Sequence, residues 1–153
     1  MIRTSYIVLF FSLTFILLSC SNNKEKRKKI VSEKIVEFSE KQNEWNSLTQ
    51  RLLENEYVNS YLGKVIYPMD LNESLSAELK EKGVKRISAR NSADCKEVEY
   101  ETEYEYPIGT LHLTWTTCDP KQTEKGFYQS DSGFIEIYGI GNNWLIWTDH
   151  DPI

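Results

Sequence analysis

The sequence predicts an α+β fold, with a long N-terminal helix and a short second helix packed on a mainly antiparallel β-sheet of about five or six strands. Three observations carry this. Apolar residues recur at helical spacing from Val31 to Leu52, and three leucines follow four apart at Leu71, Leu75 and Leu79. Beyond Val84 the chain alternates apolar and polar residues between turn signals.

The first helix is read from Ile30 to about Asn55. Val31, Ile35, Phe38, Trp45 and Leu52 form its stripe, Gln42 and Thr49 fill the same stripe, and Leu48 lies beside it. Glu33, Lys34, Glu37, Glu40, Lys41 and Glu44 fall mainly off it, as expected of a helix with one face on a core. The near-heptad spacing also suits a docking helix or short coiled coil, although the heptads are few. Gly63 to Tyr67 reads as a strand ended by Pro68. Asp70 to Lys82 reads as the second helix, with Gly83 as its stop signal. Val84 to Ala89 alternates as a strand, and strand and turn are expected from there on.

The segment ahead of the first helix is of another kind. Arg3 supplies a positive charge, and Tyr6 to Leu18 is an apolar run of 13 residues broken only by Ser12, Thr14 and the Tyr6 hydroxyl. A membrane span needs about 20 residues, so this run has the length of a signal-peptide core. Directly after it, Leu17-Leu18-Ser19-Cys20 resembles the lipobox of bacterial lipoproteins, a small residue and then cysteine at the end of the apolar core. The resemblance covers the first 20 residues. It implies that Cys20 becomes a lipid-carrying mature N-terminus, anchored in the membrane with the domain outside the cytoplasm. A plain secretory signal with an incidental cysteine would export the same domain. Ser21, rather than Asp, after the cysteine points to the outer membrane by similarity to the sorting rule of enteric bacteria.

The chain therefore divides into a signal peptide (1–19), a basic linker (20–29) and one domain (30–153). The linker carries Lys24-Glu25-Lys26-Arg27-Lys28-Lys29, five positive charges and one negative. Such a run can lie against anionic headgroups, at about 1 kcal/mol per basic residue, or act as a solvated tether outside the fold. Of the 18 Lys and Arg, one lies in 1–19 and five in 20–29, leaving 12; of the 23 Asp and Glu, one lies in 20–29, leaving 22. The domain thus carries a net charge of −10. Nucleic acid is excluded as a partner by that charge, and a partner selected by electrostatics would be a basic protein.

Residues 97 to 106, EVEYETEYEY, place a carboxylate at every second position. On a strand Glu97, Glu99, Glu101, Glu103 and Glu105 then point one way, and Val98, Tyr100, Thr102, Tyr104 and Tyr106 the other. Thr110 to Thr117 alternates as well, with Leu111, Leu113 and Trp115 opposed to His112, Thr114 and Thr116. A tight turn centred on Tyr106-Pro107 pairs Val98 with Trp115, Tyr100 with Leu113 and Thr102 with Leu111. The same register sets Glu97, Glu99, Glu101 and Glu103 opposite Thr116, Thr114, His112 and Thr110, and brings Cys95 opposite Cys118. In an exported domain these cysteines are expected to form a disulfide, Cys20 being accounted for by lipid. Free thiols or a thiolate metal site are the alternatives.

The glutamates read first as the solvent face of a hairpin whose other face covers the core. A docking face for a basic partner is the functional alternative. Same-face neighbours stand about 7 Å apart, too wide for two of them to chelate one small cation, and Ca²⁺ wants several oxygens gathered by a loop. Catalysis by a carboxylate pair needs two acids in contrasting environments, which identical exposed neighbours lack. No metal or cofactor is expected.

Gly133 to Tyr138 and Asn143 to Thr148 read as a last strand pair, turning through Gly139-Ile140-Gly141-Asn142. Phe134, Tyr138, Trp144 and Trp147 are expected in the core. Asp149-His150-Asp151 could bind Zn²⁺ or orient a base, but adjacent strand residues point apart, and a frayed end is the plainer reading. His112 is expected as a surface partner of Glu101. No Ser/His/Asp arrangement, phosphate-cradling glycine loop or Cys-x-x-Cys is present. These readings predict a lipid-anchored, extracytoplasmic binding or interaction domain of the cell envelope, without catalytic activity. The alternatives are an inhibitor or immunity protein that neutralises a basic secreted enzyme or toxin, and a small envelope hydrolase.

Overall fold

The structure is a computed structural model that describes residues 25–105, 108–129 and 135–149. The apolar run, Cys20, Tyr106, Pro107, Gly133, Phe134, His150 and Asp151 lie outside the described residues. The fold is α+β. Helices α1 (residues 25–40), α2 (Gln42–Glu54), α3 (Glu56–Ser60) and α4 (Glu73–Glu81) lie on one face of a seven-stranded antiparallel sheet. Its strands are β1 (Val65–Ile66), β2 (Val84–Asn91), β3 (Lys96–Glu105), β4 (Gly109–Thr116), β5 (Gly126–Gln129), β6 (Ile135–Gly141) and β7 (Trp144–Asp149), in the order β1-β2-β3-β4-β7-β6-β5. No helix among the described residues is long and apolar enough to cross a membrane.

The first helix differs from the expected one at both its start and its middle. It begins at residue 25, so the last residues assigned to the linker are helical. It also breaks at Lys41, whose φ of −108° and ψ of 11° leave the helical basin. Just before the break, the Ser39 hydroxyl donates to the Ile35 carbonyl at 2.7 Å, a side-chain bond that bends helices. The stripe still reaches the core: Val31, Phe38, Leu48 and Leu52 are buried. Thr49 belongs there because its hydroxyl donates to the Trp45 carbonyl and meets the buried Tyr100 hydroxyl at 2.8 Å. Burial holds that phenol protonated, its pKa pushed well above the usual phenol range.

The second helix is shorter than its leucine pattern suggests. Pro68–Asp70 form a 3₁₀ turn, and α4 starts only where the Asn72 side chain accepts the Leu75 N–H at 3.0 Å. Leu71, Leu75 and Leu79 are all buried. Past Ala89 the chain is not all strand and turn. Asp119 caps a one-turn helix α5 (Pro120–Thr123), which crosses the other face of the sheet. The approach is so close that a Cβ on Gly139 would stand 1.7 Å from the Glu124 carbonyl oxygen. α5 buries Thr123 there, and Thr114, Thr116 and Leu145 are buried on the same face. The last hairpin turns at Asn142-Asn143, both at positive φ (55° and 68°), rather than over 139–142. This is a two-residue turn whose twist matches the strands.

Cys95 and Cys118 form a disulfide, with Cα atoms 4.7 Å apart, at the open end of the β3–β4 hairpin. Lys96 and Thr117, the next pair inward, are hydrogen-bonded to each other. Replacing both cysteines with Ala should lower unfolding stability by roughly 3 kcal/mol, the closure entropy of a loop of this length. Urea titration of the double variant, and of the unaltered protein under reductant, should show the same drop in midpoint. An unchanged midpoint in both would mean that the hairpin register alone holds this end.

Candidate functional site

The glutamate ladder follows the expected register only halfway. Glu97 faces Thr116, Glu99 faces Thr114 and Glu101 faces His112, and then the register shifts. Tyr104 pairs with Thr110 and Glu105 with Gly109, so Thr102 and Glu103 together oppose Leu111 as a β-bulge. One extra residue flips the alternation. Tyr104 therefore joins Glu97, Glu99 and Glu101 on the outer face, while Glu103 and Glu105 turn toward the helices. The five carboxylates do not form one surface.

The three outer glutamates also meet basic or polar partners. β2 places Arg86, Ser88 and Arg90 opposite Glu101, Glu99 and Glu97. Arg86 is ion-paired with Glu101, which is only 17% exposed, and this carboxylate pushes the guanidinium pKa up further. His112 takes Glu99 rather than Glu101: its Nδ1 lies 3.2 Å from Glu99 Oε1. Its Nε2, 3.9 Å from Asp149 Oδ1, has no hydrogen-bond partner among the described residues. The imidazole is buried, not superficial, and stacks on Trp147 at 3.5 Å between ring centroids. His112 thus lies between two carboxylates with its ring face against its cross-strand partner Trp147. Sequence alternation could place His112 on the outer face; it could not show that the neighbouring strand β7 would cover it.

A different site was not foreseen. α1, the Lys41 break and α2 pass over the sheet and leave a groove of 650 Å³ against the far end of the β3–β4 hairpin. Phe38, Trp45, Leu111, Leu113 and Ile146 form its apolar floor. Lys34, Glu37 and Lys41 line one rim, Glu103 and Glu105 the other. Glu37 stands 3.8 Å from Lys34 and 3.7 Å from Lys41, as helix neighbours do. Glu103 pairs with Lys85 at 2.9 Å. At one end Lys82 lies 5.0 Å over the Trp45 ring and 2.9 Å from Glu44 Oε2.

Comparison with known protein families, curated proteins and solved structures finds no match to this chain. The groove has to be read from its own chemistry. Its volume lies within the range of small-ligand sites, and an apolar floor under a few charged groups is their usual composition. The described residues contain no cluster of three or more metal-ligating side chains. Individually, the floor residues are legible as core. What makes them a groove is the helix break and the bulge, neither of which has a sequence marker here.

The Lys82–Glu44 pair gives a direct test of the rim. The Lys82 ammonium, by hydrogen bond and by charge, holds the Glu44 carboxyl below the usual carboxylate range. The folded pKa is depressed, so whatever this pair adds to stability is present above the unfolded-state pKa and lost as pH falls through the folded one. Carboxyl NMR titration of Lys82→Met should show Glu44 returning upward to the ordinary glutamate value. A Glu44 pKa unmoved by the substitution would mean that the pair does not form in solution.

Proposed function

We propose that this chain is a lipid-anchored, extracytoplasmic binding domain with no chemistry of its own, and that its ligand lies in the groove between the helical arm and the β3–β4 hairpin. The observation that carries the reading is the groove itself: an aromatic and aliphatic floor, lysines on one rim and glutamates on the other. Such a lining favours a ligand with an apolar body and polar groups that meet the rim. The lipobox-like Leu17-Leu18-Ser19-Cys20 supports the anchor, and the Cys95–Cys118 disulfide agrees with an oxidising compartment.

Glu37, Glu44 and Glu103 are each ion-paired to a lysine, so these three acids share one kind of environment rather than dividing into a proton donor and a base. The outer glutamates offer a basic partner less than their spacing promises, because Arg86 and His112 already engage two of them.

Two measurements test the reading. In cells fed labelled palmitate, the chain should take up label and Cys20→Ala should not; equal labelling would end the anchoring claim. For the groove, anilinonaphthalene sulfonate is a suitable probe, having an apolar body and one negative charge. Its affinity should fall about ten-fold when Lys34 and Lys41 are both changed to Glu, since reversing rim charges turns attraction into repulsion. Unchanged affinity in the folded variant would place the probe, and the ligand site, elsewhere.

A further inference from the structure

The start of α1 is tied to the sheet by a buried charge pair. Arg27 Nη2 lies 3.8 Å from Glu136 Oε1, with side chains 19% and 2% exposed. Glu136 sits on β6 and also accepts the Tyr138 hydroxyl at 2.8 Å. Burial and that carboxylate both push the Tyr138 phenol above its usual range, so it stays a donor. A carboxylate buried to this degree needs its cation, because an unpaired charge away from water is strongly destabilising. The basic segment is thus held on the domain at Arg27, and a freely swinging tether does not describe it.

That contact decides which surface lies beside the anchor. Five residue-to-residue steps lead from Cys20 to residue 25, a reach of about 17 Å at full extension. Within the docked turn, Lys28 and Lys29 are exposed. Along the same edge of the sheet, Tyr138 packs against Phe127 of β5, with ring centroids 5.1 Å apart. On the edge strand, Phe127 (48% exposed) shares the face of Tyr138, whereas Tyr128 (38% exposed) projects from the opposite face, beside Ile137. A chain of contacts therefore joins the basic turn to an aromatic edge through Arg27, Glu136, Tyr138 and Phe127.

We propose that the start of α1 and the exposed side of β5 form one surface that rests on anionic phospholipid headgroups. The inference relies on the anchor reading for its location. Lysines gain from an anionic surface, and aromatic rings favour the headgroup level. Residues 30–153, β5 included, carry a net −10 that the same lipids repel, so the basic start of α1 decides which edge faces them and the β1 edge is turned away.

The test uses the full chain, processed in cells and reconstituted on vesicles of phosphatidylcholine alone or mixed with phosphatidylglycerol. Hydroxyl-radical labelling, read by mass spectrometry, reports side-chain access. On anionic vesicles Phe127 and Tyr128 should lose labelling several-fold, while Tyr61 and Met69 near the β1 edge keep theirs. Changing Lys28 and Lys29 to Glu should restore it, and both positions are exposed enough to leave the fold intact. Equal labelling at the two edges would overturn the proposal, as would equal protection on neutral vesicles. So would protection in detergent that grows with protein concentration, which would mean a second copy on this edge. The intact mass of the same sample shows whether Cys20 carries lipid. If it does not, the anchor reading fails, and co-sedimentation with anionic but not neutral vesicles, lost in the Glu variant, would still support the surface; no co-sedimentation would overturn it as well.

Discussion

Trp144 is the point on which the helical layer and the sheet depend together. It is fully buried, its ring centroid lies 4.9 Å from Phe38, 6.2 Å from Tyr100 and 6.5 Å from Trp45, and its indole N–H reaches Asn46 Oδ1 at 2.8 Å. Aromatic residues of this size each bury roughly 150–250 Å² of surface. The one polar atom of the ring is satisfied by α2, which fixes the rotation of that helix as well as its position. Once Trp144 is seated, Phe38 and Trp45 must lie on either side of the Lys41 break. The groove floor follows from that placement.

The two faces of the sheet are built on different terms. On the helix side the rows read as apolar: Ile87, Tyr100, Leu113, Ile146 and Tyr138 face one another across five strands. On the other side one row runs Arg86, Glu101, His112, Trp147 and Ile137. Charge is concentrated toward β2 and β3, where water reaches, and aromatic and apolar groups toward β7 and β6, near where α5 crosses. His112 lies at the boundary, which explains why it is buried yet has a carboxylate on each side.

The periodic parts of this fold were legible in the sequence. The stripe from Val31 to Leu52, the leucines of α4 and the alternation around the β3–β4 hairpin each repeat often enough to outweigh a local exception. The register of that hairpin even brought Cys95 to Cys118. What escaped reading was set by single contacts. Nothing in Gly126–Gln129 marks a seventh strand, since all four residues are exposed and the strand exists by pairing with β6. The linker looked detached because its charges are dense, whereas Arg27 is held by Glu136, more than a hundred residues away in sequence. Gly139 and Gly141 are the stronger turn signals, yet the turn falls at Asn142-Asn143. Gly139 is needed instead for the close passage of Glu124, and Gly141, at φ 97°, for the bulge beside Trp144.

The bulge at Thr102-Glu103 shows how far one residue can redirect a surface. Without it, the register that holds from Glu97 to Glu101 would carry through to Glu105, and five carboxylates would share a face with Arg86, Arg90 and His112. With it, the acidic run is divided. Its first part stays on the outer face and is largely matched by β2 and His112, while Glu103 and Glu105 cross to the helix side opposite Lys34 and Lys41. The Thr102 hydroxyl, donating to the Leu111 carbonyl at 3.0 Å, secures the extra residue in place. A pattern that looks like a single acidic face therefore supplies three of its five carboxylates to the outer face and the other two to the rim of the groove. The question the ladder raises is answered by register rather than by composition.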